Sequence, residues 1–406
     1  MSASFPKRCF NVTGLFGGVG GLEAGLGTAG HRATAFCESD PEAATILAKR
    51  FPDAALTRDV RRTEEVLASI DSGSNLLTAG FPCTDLSQAG RVQGFGGERS
   101  SLVRDVFRLL KVRRFPHVIL ENVPNWRFLH RGEYLREVVS ALEGLGYRWA
   151  YRTIDALAFG APQRRLRLFL YATLEGDPRD VLFAGDVAPE TPEWPIADRA
   201  HGFYWTEGSR GLGWGEDCVP TLKGGSTVGV PSPPAILLPA EAAPTGRLVT
   251  PDIRDAERLQ GLSSGWTWAE RTIDGAAFRD RRRWLLVGNA VSARVAAWLG
   301  ERLSSPVPVN CEPGRLLGPG DNWPAAAWGN GCERYAAEVG TWPLAAPREP
   351  LATFLEHPGT PLSKRAAAGF LARYEAGNLR RKPELVLALR RHLSLSDGEA
   401  ESREAA

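Results

Sequence analysis

Short apolar runs alternate with stretches of helical periodicity between residues 8 and 172. Each of the clearest apolar runs is four to six residues long and is bounded by turn-forming residues, which is typical of a buried strand. These runs are residues 8–13, 33–36 and 75–79. Amphipathic helical spacing occupies residues 40–50, 101–113 and 133–145. The alternation predicts an α/β fold with a wound, mixed but mainly parallel sheet.

The amino-acid composition and the hydrophobic pattern of the chain change after residue 173. Pro, Gly and Trp become dense from about residue 174 to residue 247, and helical periodicity disappears. Amphipathic spacing returns over residues 351–393. The C-terminal region could pack on the core, grip flanking DNA or bind a partner protein. We expect packing first, because four aromatic residues are suited to be buried anchors: Trp323, Trp328, Trp342 and Phe354. We therefore divide the chain into a wound α/β domain, a smaller domain, a return to the first domain and a C-terminal extension, at residues 1–173, 174–273, 274–303 and 304–406.

Composition narrows the function classes without naming one. The 406 residues include 49 Lys and Arg against 47 Asp and Glu, so the net charge of +2 gives no overall polybasic signal. Local basic clusters at residues 164–167 and 279–283 are either contacts to a nucleic-acid backbone or solvated faces. The six cysteines form no Cys-x-x-Cys pair, so we expect a reducing cytoplasm and no structural zinc or other metal. No signal peptide or membrane-length apolar run is visible, so we expect a cytoplasmic protein without a membrane partner.

Cys83 is the residue most suggestive of chemistry. It follows the apolar run at residues 75–79 in the segment Gly80-Phe81-Pro82-Cys83, so we expect its thiol at a strand end, before a long polar loop. Open α/β sheets commonly present a nucleophile in this way. A free cysteine is otherwise most often a small buried core residue, so the neighbouring motifs decide between the two interpretations.

A glycine-rich turn follows the first predicted strand. Residues 14–22, GLFGGVGGL, lead into a predicted helix, and such a turn lets the main chain approach a nucleotide-like ligand. Glu38, after the second apolar run, is placed to accept hydrogen bonds from ribose hydroxyls. The turn lacks Gly-Lys-Ser/Thr, which argues against a phosphate-binding P-loop and favours an adenosine-type cofactor.

Two further motifs place polar side chains beside apolar runs. Glu121 ends the run Val118-Ile119-Leu120, where its carboxyl group could donate to a substrate or simply be solvated. Basic and polar side chains enter another apolar segment, and by strand alternation three of them share one face: Gln163, Arg165 and Arg167. Arginine in a strand needs an anion, a ligand or an ion-pair partner, unless the strand lies at a solvated edge.

Six motifs, in order, resemble those of the DNA (cytosine-5) methyltransferases of bacteria and phages, over roughly residues 8–303. The motifs are Phe16-x-Gly18-x-Gly20-Gly21, Gly80-Phe81-Pro82-Cys83, Glu121-Asn122-Val123, Gln163-x-Arg165-x-Arg167, Arg258-Leu259-Gln260-Gly261-Leu262 and Gly288-Asn289-Ala290-Val291. Ordered motifs are far more specific than any one alone. The resemblance implies a Rossmann-like S-adenosylmethionine-dependent methyltransferase domain, with residues 174–273 as its target-recognition domain.

The resemblance also implies catalytic and cofactor-binding roles. Cys83 would add covalently to C6 of a cytosine, and Glu121, protonated because it is buried, would donate to N3 and the exocyclic amine. Arg165 would hold the cytosine O2, and Arg167 would support the site. S-adenosyl-L-methionine would donate the methyl group and leave as S-adenosyl-L-homocysteine. The implied cofactor-binding residues are Phe16, Gly18, Val19, Gly20, Gly21, Glu38, Asp59, Val60, Pro82, Leu102 and Asn289.

The implied substrate is double-stranded DNA. A stacked base cannot reach Cys83, so the target cytosine must be flipped out of the duplex. Residues 84–101 are rich in Gly and are expected to form a mobile lid. The expected DNA contacts are Ser87, Gln88, Arg91, Arg99, Gln163 and Lys223. A cognate restriction endonuclease that acts separately is a further expected partner, and we expect the chain to be a monomer.

The cofactor loop departs from the family pattern at its first position. The family usually has Asp before Leu-Phe, whereas this chain has Gly14. A hydrogen bond that supports the loop is therefore expected to be missing.

Three rival interpretations remain. A tRNA cytosine methyltransferase would share the fold and the nucleophile, but the Cys-Phe-Thr signature expected in its recognition region is not found. A non-enzymatic DNA-binding relative is disfavoured by the intact Cys83, Glu121 and Arg165. A nicotinamide dehydrogenase would explain the glycine turn, but neither the Pro-Cys motif nor the arginine-rich segment.

Overall fold

The computed structural model describes residues 8–81, 101–189, 199–209, 211–224, 232–239, 247–309 and 314–394. Its strands are β1 Asn11–Leu15, β2 Arg32–Cys37, β3 Ala55–Thr57, β4 Leu76–Gly80, β5 His117–Asn122, β6 Arg148–Asp155, β7 Leu166–Thr173, β8 His201–Phe203, β9 Gly215–Glu216, β10 Ala235–Leu237, β11 Leu248–Thr250, β12 Ala326–Gly329, β13 Arg334–Ala336 and β14 Thr360–Pro361. Its helices are α1 Gly21–Thr28, α2 Pro41–Arg50, α3 Thr63–Ser69, α4 Ser101–Val112, α5 Glu133–Gly144, α6 Arg179–Leu182, α7 Ile253–Leu259, α8 Arg283–Asn289, α9 Ala293–Ser304, α10 Leu351–Phe354, α11 Lys364–Ala376 and α12 Pro383–Ser394. Within these ranges no helix is both long enough and apolar enough to cross a membrane.

Nine strands form the large sheet, in the order β13-β12-β6-β7-β5-β4-β1-β2-β3. The five strands β3, β2, β1, β4 and β5 run parallel. β7 pairs antiparallel with β5 and with β6, and β12 and β13 extend the sheet in the antiparallel sense. The predicted α/β class, with a Rossmann-like mixed sheet, is confirmed.

The carboxyl ends of the parallel strands meet at one edge of this sheet. Leu15 of β1 is paired with Ala79 of β4, and Gly80 of β4 is paired with Glu121 of β5. The turns that follow β1 and β2 and the last residue of β4 therefore lie at the same edge. Open α/β sheets bind their ligands at this edge.

Helices cover both faces of the large sheet. On one face, α4 and α5 pack on a core that contains the fully buried Trp126 and Trp149. On the other face, α1 crosses α9 so closely that a Cβ atom at Gly25 would strike the main-chain oxygen of Ala293. The first helix is therefore fixed rigidly behind the glycine turn that precedes it.

Five short strands form a second, antiparallel sheet in the order β14-β11-β10-β8-β9. Four of them come from the segment predicted as the smaller domain, whereas β14 comes from the C-terminal region. α11 packs on the same sheet, where the ring centres of Phe370 and Phe203 lie 5.0 Å apart. Elements from the C-terminal region thus form part of the small domain.

The C-terminal region, predicted as an extension of unknown role at residues 304–406, contributes elements to both sheets. β12 and β13 join the large sheet, while β14, α11 and α12 join the small domain. The sequence pattern missed these strands because they are two to four residues long and show no apolar alternation. The expected packing is confirmed, since all four predicted aromatic anchors are buried: Trp323, Trp328, Trp342 and Phe354.

Candidate active site

A cavity of about 650 Å³ opens at the carboxyl edge of the large sheet. It is lined by residues from the turn after β1, from the ends of β2, β4 and β5, from the start of α4, and from α8. Nine of the residues predicted for the site are among them: Phe16, Gly18, Glu38, Asp59, Val60, Leu102, Glu121, Arg167 and Asn289. Six predicted residues lie outside the described ranges, as does nearly all of the expected lid: Pro82, Cys83, Ser87, Gln88, Arg91 and Arg99.

Gly18 lines the cavity and leaves free space next to its main chain. Its φ is +55°, a conformation that favours glycine, and a Cβ atom there would meet no atom of the described residues within 4 Å. The N–H of Gly18 donates to Oε2 of Glu38 over 2.8 Å, which ties the turn to the end of β2. A ligand can therefore approach the main chain at this point, beside Phe16.

The other glycines of the turn serve packing instead. Val19 is 1% exposed, and a Cβ atom at Gly21 would strike the main-chain oxygen of Val291. A Cβ atom at Gly20 would strike the ring of Phe51. The predicted cofactor contacts of Val19, Gly20 and Gly21 are therefore not seen in the lining of the cavity, because these residues let α1 approach its neighbours.

Glu38 is an acceptor fixed at the end of β2. Its carboxylate accepts hydrogen bonds from the N–H groups of Gly18 and Asp40, each over 2.8 Å. Burial raises the pKa of Glu38, and these two donors offset part of the rise. Each carboxylate oxygen keeps a lone pair for a hydroxyl of a ligand.

Asp59 and Val60 line the wall next to Glu38. Arg61 holds the carboxylate of Asp59 through its N–H at 3.0 Å and through Nε and Nη2 at 2.8 Å each. These hydrogen bonds lower the pKa of Asp59, so its carboxylate stays ionised. Arg58 donates to the main-chain oxygen of Glu38 over 3.0 Å. Nothing in the local sequence pattern had indicated the roles of the two arginines.

Glu121 reaches the cavity from the end of β5. It is 8% exposed, and Nε of Arg167 lies 3.2 Å from its Oε1. That oxygen is buried and makes no hydrogen bond among the described residues. Burial raises the pKa of Glu121, although the charges of Arg167 and Arg165 oppose the rise. A carboxyl group of this kind can keep its proton and donate it to a ligand.

The chain is anchored two residues before Cys83. Nδ2 of Asn122 donates to the main-chain oxygen of Phe81 over 3.2 Å. The ring of Phe81 packs edge-on against Trp126, with ring centres 5.2 Å apart. β4 therefore ends at a defined point, beside Glu121.

Arg165 is placed differently from the expectation that it contacts a base. Its side chain is buried and donates to the main-chain oxygens of Leu222, Gly288 and Ala290 over 3.2, 3.1 and 2.7 Å. It ties the small domain and α8 to the large sheet and does not line the cavity. Arg167 is the arginine of this motif that reaches the cavity.

Gln163 is fully buried, which contradicts its predicted role as a DNA contact. It donates to the main-chain oxygen of Leu259 over 2.9 Å and accepts from the N–H of Leu222 over 3.1 Å. The alternation argument fails here because β7 begins only at Leu166. Of the three polar residues assigned to one strand face, only Arg167 lies in a strand.

The two arginines are expected to differ when each is replaced by alanine. Arg165→Ala should lower the free energy of unfolding by roughly 2–4 kcal/mol, because three carbonyl groups in a buried site lose a charged donor. Arg167→Ala should cost less stability, since Glu121 can take up a proton when its partner is removed, but it should lower activity. Urea denaturation of both variants measures the difference. If Arg165→Ala kept wild-type stability and lost only activity, the structural role that we assign to Arg165 would be contradicted.

Lys223 lies beside the cavity rim, on a segment that docks on α8 through two glycines. A Cβ atom at Gly288 would strike the main chain of Lys223 and Gly224, and one at Gly224 would lie 2.9 Å from Oδ1 of Asn289. The Lys223 ammonium group pairs with Glu207. Lys223 remains partly exposed, at 45% of its side chain.

Three arginines of the basic cluster before α8 make ion pairs within the protein. Nε of Arg279 lies 2.9 Å from Oε1 of Glu42, and Arg282 pairs with the same carboxylate. Arg283 is buried and lies 3.0 Å from Glu257. Arg282 and Arg283 thus hold α8 in place, whereas Arg279 and Arg281 are exposed, so the DNA-backbone contacts expected of this cluster remain a prediction.

Glu23 of α1 fills the space that Gly14 leaves. A Cβ atom at Gly14 would lie 2.7 Å from Oε1 of Glu23, and this oxygen accepts a hydrogen bond from Oγ1 of Thr78 over 2.6 Å. Glu23 is 4% exposed, and its Oε2 makes no hydrogen bond among the described residues. An acid from α1 therefore stands where the family pattern has one from β1, which the linear sequence does not reveal.

Glu23→Gln should change the pH dependence of stability. Burial raises the pKa of Glu23, so its contribution to stability is present at acidic pH and is lost as the pH rises above the ordinary value of 4.5. Glutamine keeps the acceptor for Thr78 and has no proton to lose. We measure Tm by thermal unfolding and subtract the wild-type value from that of the variant. This difference should be more positive at pH 8 than at pH 5. A difference in Tm that is constant over this range would contradict the assignment.

Comparisons with known proteins agree with the geometry. The model of the family "C-5 cytosine-specific DNA methylase" matches residues 10–198. The Type II methyltransferase M2.BsuMI of Bacillus subtilis (strain 168) is 45% identical over 371 residues, covering 89% of this chain and 92% of that protein. The Type II methyltransferase M.NgoBV of Neisseria gonorrhoeae is 31% identical over 193 residues, covering 43% of this chain and 44% of that protein.

Two solved structures share the fold. The S. pombe Dnmt2 methyltransferase superposes with a TM-score of 0.53 at 17% identity, covering 72% of this chain and 98% of that chain. The Entamoeba histolytica methyltransferase EhMeth gives 0.52 at 16% identity, covering 73% and 98%. With the long match to M2.BsuMI, these findings identify the chain as a member of the C-5 cytosine-specific DNA methylase family, the enzymes that methylate cytosine in DNA at C5.

Proposed function

We propose that the chain binds S-adenosylmethionine in this cavity and methylates C5 of a cytosine flipped out of duplex DNA, with Cys83 as the covalent catalyst. The position of Glu121 carries the proposal. It is a buried acid with a raised pKa, and it lies beside Arg167 and beside Gly80, the last residue of β4. The chain continues from Gly80 through Phe81 and Pro82 to Cys83. The pairing of β5 with β4 and with β7 brings the acid and the cation to the edge of the sheet at which β4 ends, three residues before Cys83 in the sequence.

The cavity residues fit S-adenosylmethionine. The open space above Gly18 admits a ligand close to the main chain, and the carboxylate of Glu38 can accept from ribose hydroxyls. The ionised Asp59 can accept from an adenine amine, and Phe16 offers a ring for stacking. Carboxylates beside the cavity also suit a sulfonium cation. The bound cofactor supplies an electrophilic methyl group.

Cys83 is proposed to add as a thiolate to C6 of the cytosine, which turns C5 into a nucleophile. Glu121 gives its proton to N3, so that negative charge does not accumulate on the ring. Arg167 is proposed to take the role at O2 that the family resemblance implied for Arg165, because Arg167 lines the cavity. Once C5 carries the methyl group, its proton passes to water or hydroxide and the thiolate of Cys83 leaves.

Duplex DNA is the proposed substrate, and extrusion of the cytosine costs a few kcal/mol. Residues 84–101 remain the proposed lid over the flipped base. The relatives named above are Type II methyltransferases, so we propose that this chain modifies DNA that a separate restriction endonuclease would otherwise cut. A monomer is sufficient, since one chain carries the thiol, the acid and the cofactor cavity.

Bisulfite sequencing of plasmid DNA from bacteria that express the chain tests this function. Cytosines at one short sequence should resist conversion, and the same sites should convert in cells that carry the empty vector. The result also delivers the recognised sequence. Complete conversion of every cytosine, in cells that contain the folded protein, would reject DNA as the substrate, and labelled methyl transfer to RNA would then be examined.

A further inference from the structure

The C-terminal helical hairpin, which we define as α11, α12 and the turn between them, carries concentrated positive charge. Residues 364–394 contain eight Lys and Arg against two Glu, a net charge of +6. The whole chain carries only +2, so everything outside the hairpin is net acidic. The charge is therefore a local property of this hairpin.

The hairpin combines an apolar side that is buried on the small sheet with charged side chains that are exposed. The apolar side of the two helices packs against Phe203, Leu237 and Leu248 of that sheet, and fixes the hairpin to it. Six arginines of the hairpin are exposed: Arg365, Arg373, Arg380, Arg381, Arg390 and Arg391. The surface is thus charged, rigidly mounted and open to solvent.

The contacts given for three of these exposed arginines, within the part of the chain that the structure describes, include one ion pair with a carboxylate. Arg373 donates to the main-chain oxygen of Glu207 over 3.1 Å, and Arg381 donates to the main-chain oxygen of Glu375 over 2.8 Å. Carbonyl oxygens carry no net charge, so these hydrogen bonds orient the arginines without neutralising them. Arg390 does pair with the carboxylate of Glu375, at 2.9 Å.

A chain of contacts connects the hairpin to the rim of the cavity. Arg373 holds the turn at Glu207, whose carboxylate pairs with Lys223. The next residue, Gly224, packs against Asn289, which lines the cavity. The hairpin is therefore linked to the rim of the cavity through Glu207 and Lys223.

We propose that the hairpin is a DNA clamp, which binds the phosphates of the duplex that flanks the target cytosine. The inference rests on the proposed function and adds to it the surface that grips the substrate outside the recognised sequence. Duplex DNA carries one negative charge per roughly 1.7 Å of its axis, so a surface with several exposed arginines can contact several phosphates. Phosphate contacts of this kind set affinity and position without reading bases.

A triple variant tests the clamp: Arg365→Gln, Arg380→Gln and Arg391→Gln. A matched control neutralises three exposed arginines at the amino edge of the large sheet, opposite the cavity: Arg32→Gln, Arg114→Gln and Arg148→Gln. The DNA is a duplex with long flanks on both sides of the sequence mapped by bisulfite. Affinity is measured over a range of salt concentrations, together with kcat at saturating DNA and the Kd for S-adenosylmethionine.

The hairpin variant should bind this duplex roughly 10- to 100-fold more weakly at 0.15 M salt. Its plot of log Kd against log salt should become shallower by about 0.9 for each phosphate that the variant no longer neutralises. Its kcat and cofactor affinity should be unchanged, and a duplex trimmed to the mapped sequence should show little difference from wild type. Lysine at the same three positions should restore binding, because the charge is kept.

Three results would overturn the clamp. If the wild type methylates DNA and the hairpin variant binds the long duplex with unchanged affinity and salt dependence, the clamp is wrong and the proposed function stands. If the control variant weakens binding as much as the hairpin variant does, the effect is one of net charge alone. A wild type that neither binds nor methylates duplex DNA would remove both proposals.

Discussion

Replacement of Cys83 by alanine is expected to lower the rate of DNA methylation by at least about 10³-fold. Cytosine C5 is a poor nucleophile until a thiolate has added at C6, and alanine has no group that can add there. Cys37 also lines the cavity, but burial raises the pKa of its thiol to about 11, so it stays protonated. Single-turnover methyl transfer to a duplex with the mapped sequence measures the decrease in rate.

The control for this prediction is Cys332→Ala, which removes an exposed thiol and should leave the rate unchanged. Cys83→Ala should also keep its affinity for the duplex, because phosphate and groove contacts do not depend on the thiol. A Cys83→Ala protein that methylates DNA within tenfold of the wild-type rate would exclude covalent catalysis by this residue.

Glu121→Gln is expected to lower the rate by roughly 10²–10⁴-fold, the usual contribution of a positioned general acid. The amide can still form a hydrogen bond, but it cannot transfer a proton to N3. Because burial raises the pKa of Glu121, the acid form should persist toward neutral pH. The wild-type rate should therefore fall as the pH rises through that raised pKa. The pH–rate profile of the variant should lack this falling limb.

Single-turnover rates between pH 6 and pH 9 test this prediction. Glu64→Gln is the matched control, since Glu64 is exposed on α3 and should not affect the profile. A Glu121→Gln protein that lost activity uniformly but kept the wild-type falling limb would assign that limb to another group. Unchanged activity would remove Glu121 from the mechanism.

The strand ends that build the cavity could be predicted from the sequence. The apolar runs at residues 33–36 and 75–79 coincide within one residue at each end with β2 and β4, because buried parallel strands need continuous apolar side chains. Once those strands are parallel, their carboxyl ends must meet at one edge. That is why Glu38 and Glu121, which are far apart in sequence, line one cavity.

Contacts between distant segments could not be predicted in this way. Arg165 and Gln163 have the local pattern of strand residues, but their partners belong to the small domain and α8. The pairing of Glu23 with Thr78 in the space left by Gly14 joins a helix to two strands. Local periodicity describes which face is buried, but not which polar group lies opposite that face.

The C-terminal region shows the same limit at the level of whole elements. β14 has only two residues, and it joins the small sheet by pairing with β11. The paired residues Thr250 and Thr360 are 110 positions apart in the sequence. The helices α11 and α12 were predictable as amphipathic, yet the sheet that buries them was not. Their association with the small domain is what makes them a candidate for the DNA clamp.

A duplex that carries 5-fluorocytosine at the mapped target position tests the central claim most directly. Fluorine at C5 cannot leave as a cation, so an adduct between a thiol and C6 cannot be resolved once C5 is methylated. We expect a DNA–protein adduct that forms only with S-adenosylmethionine, survives denaturation and maps by peptide mass to Cys83. Methylation of the normal duplex without any such adduct, or an adduct on Cys37 instead, would contradict catalysis by Cys83.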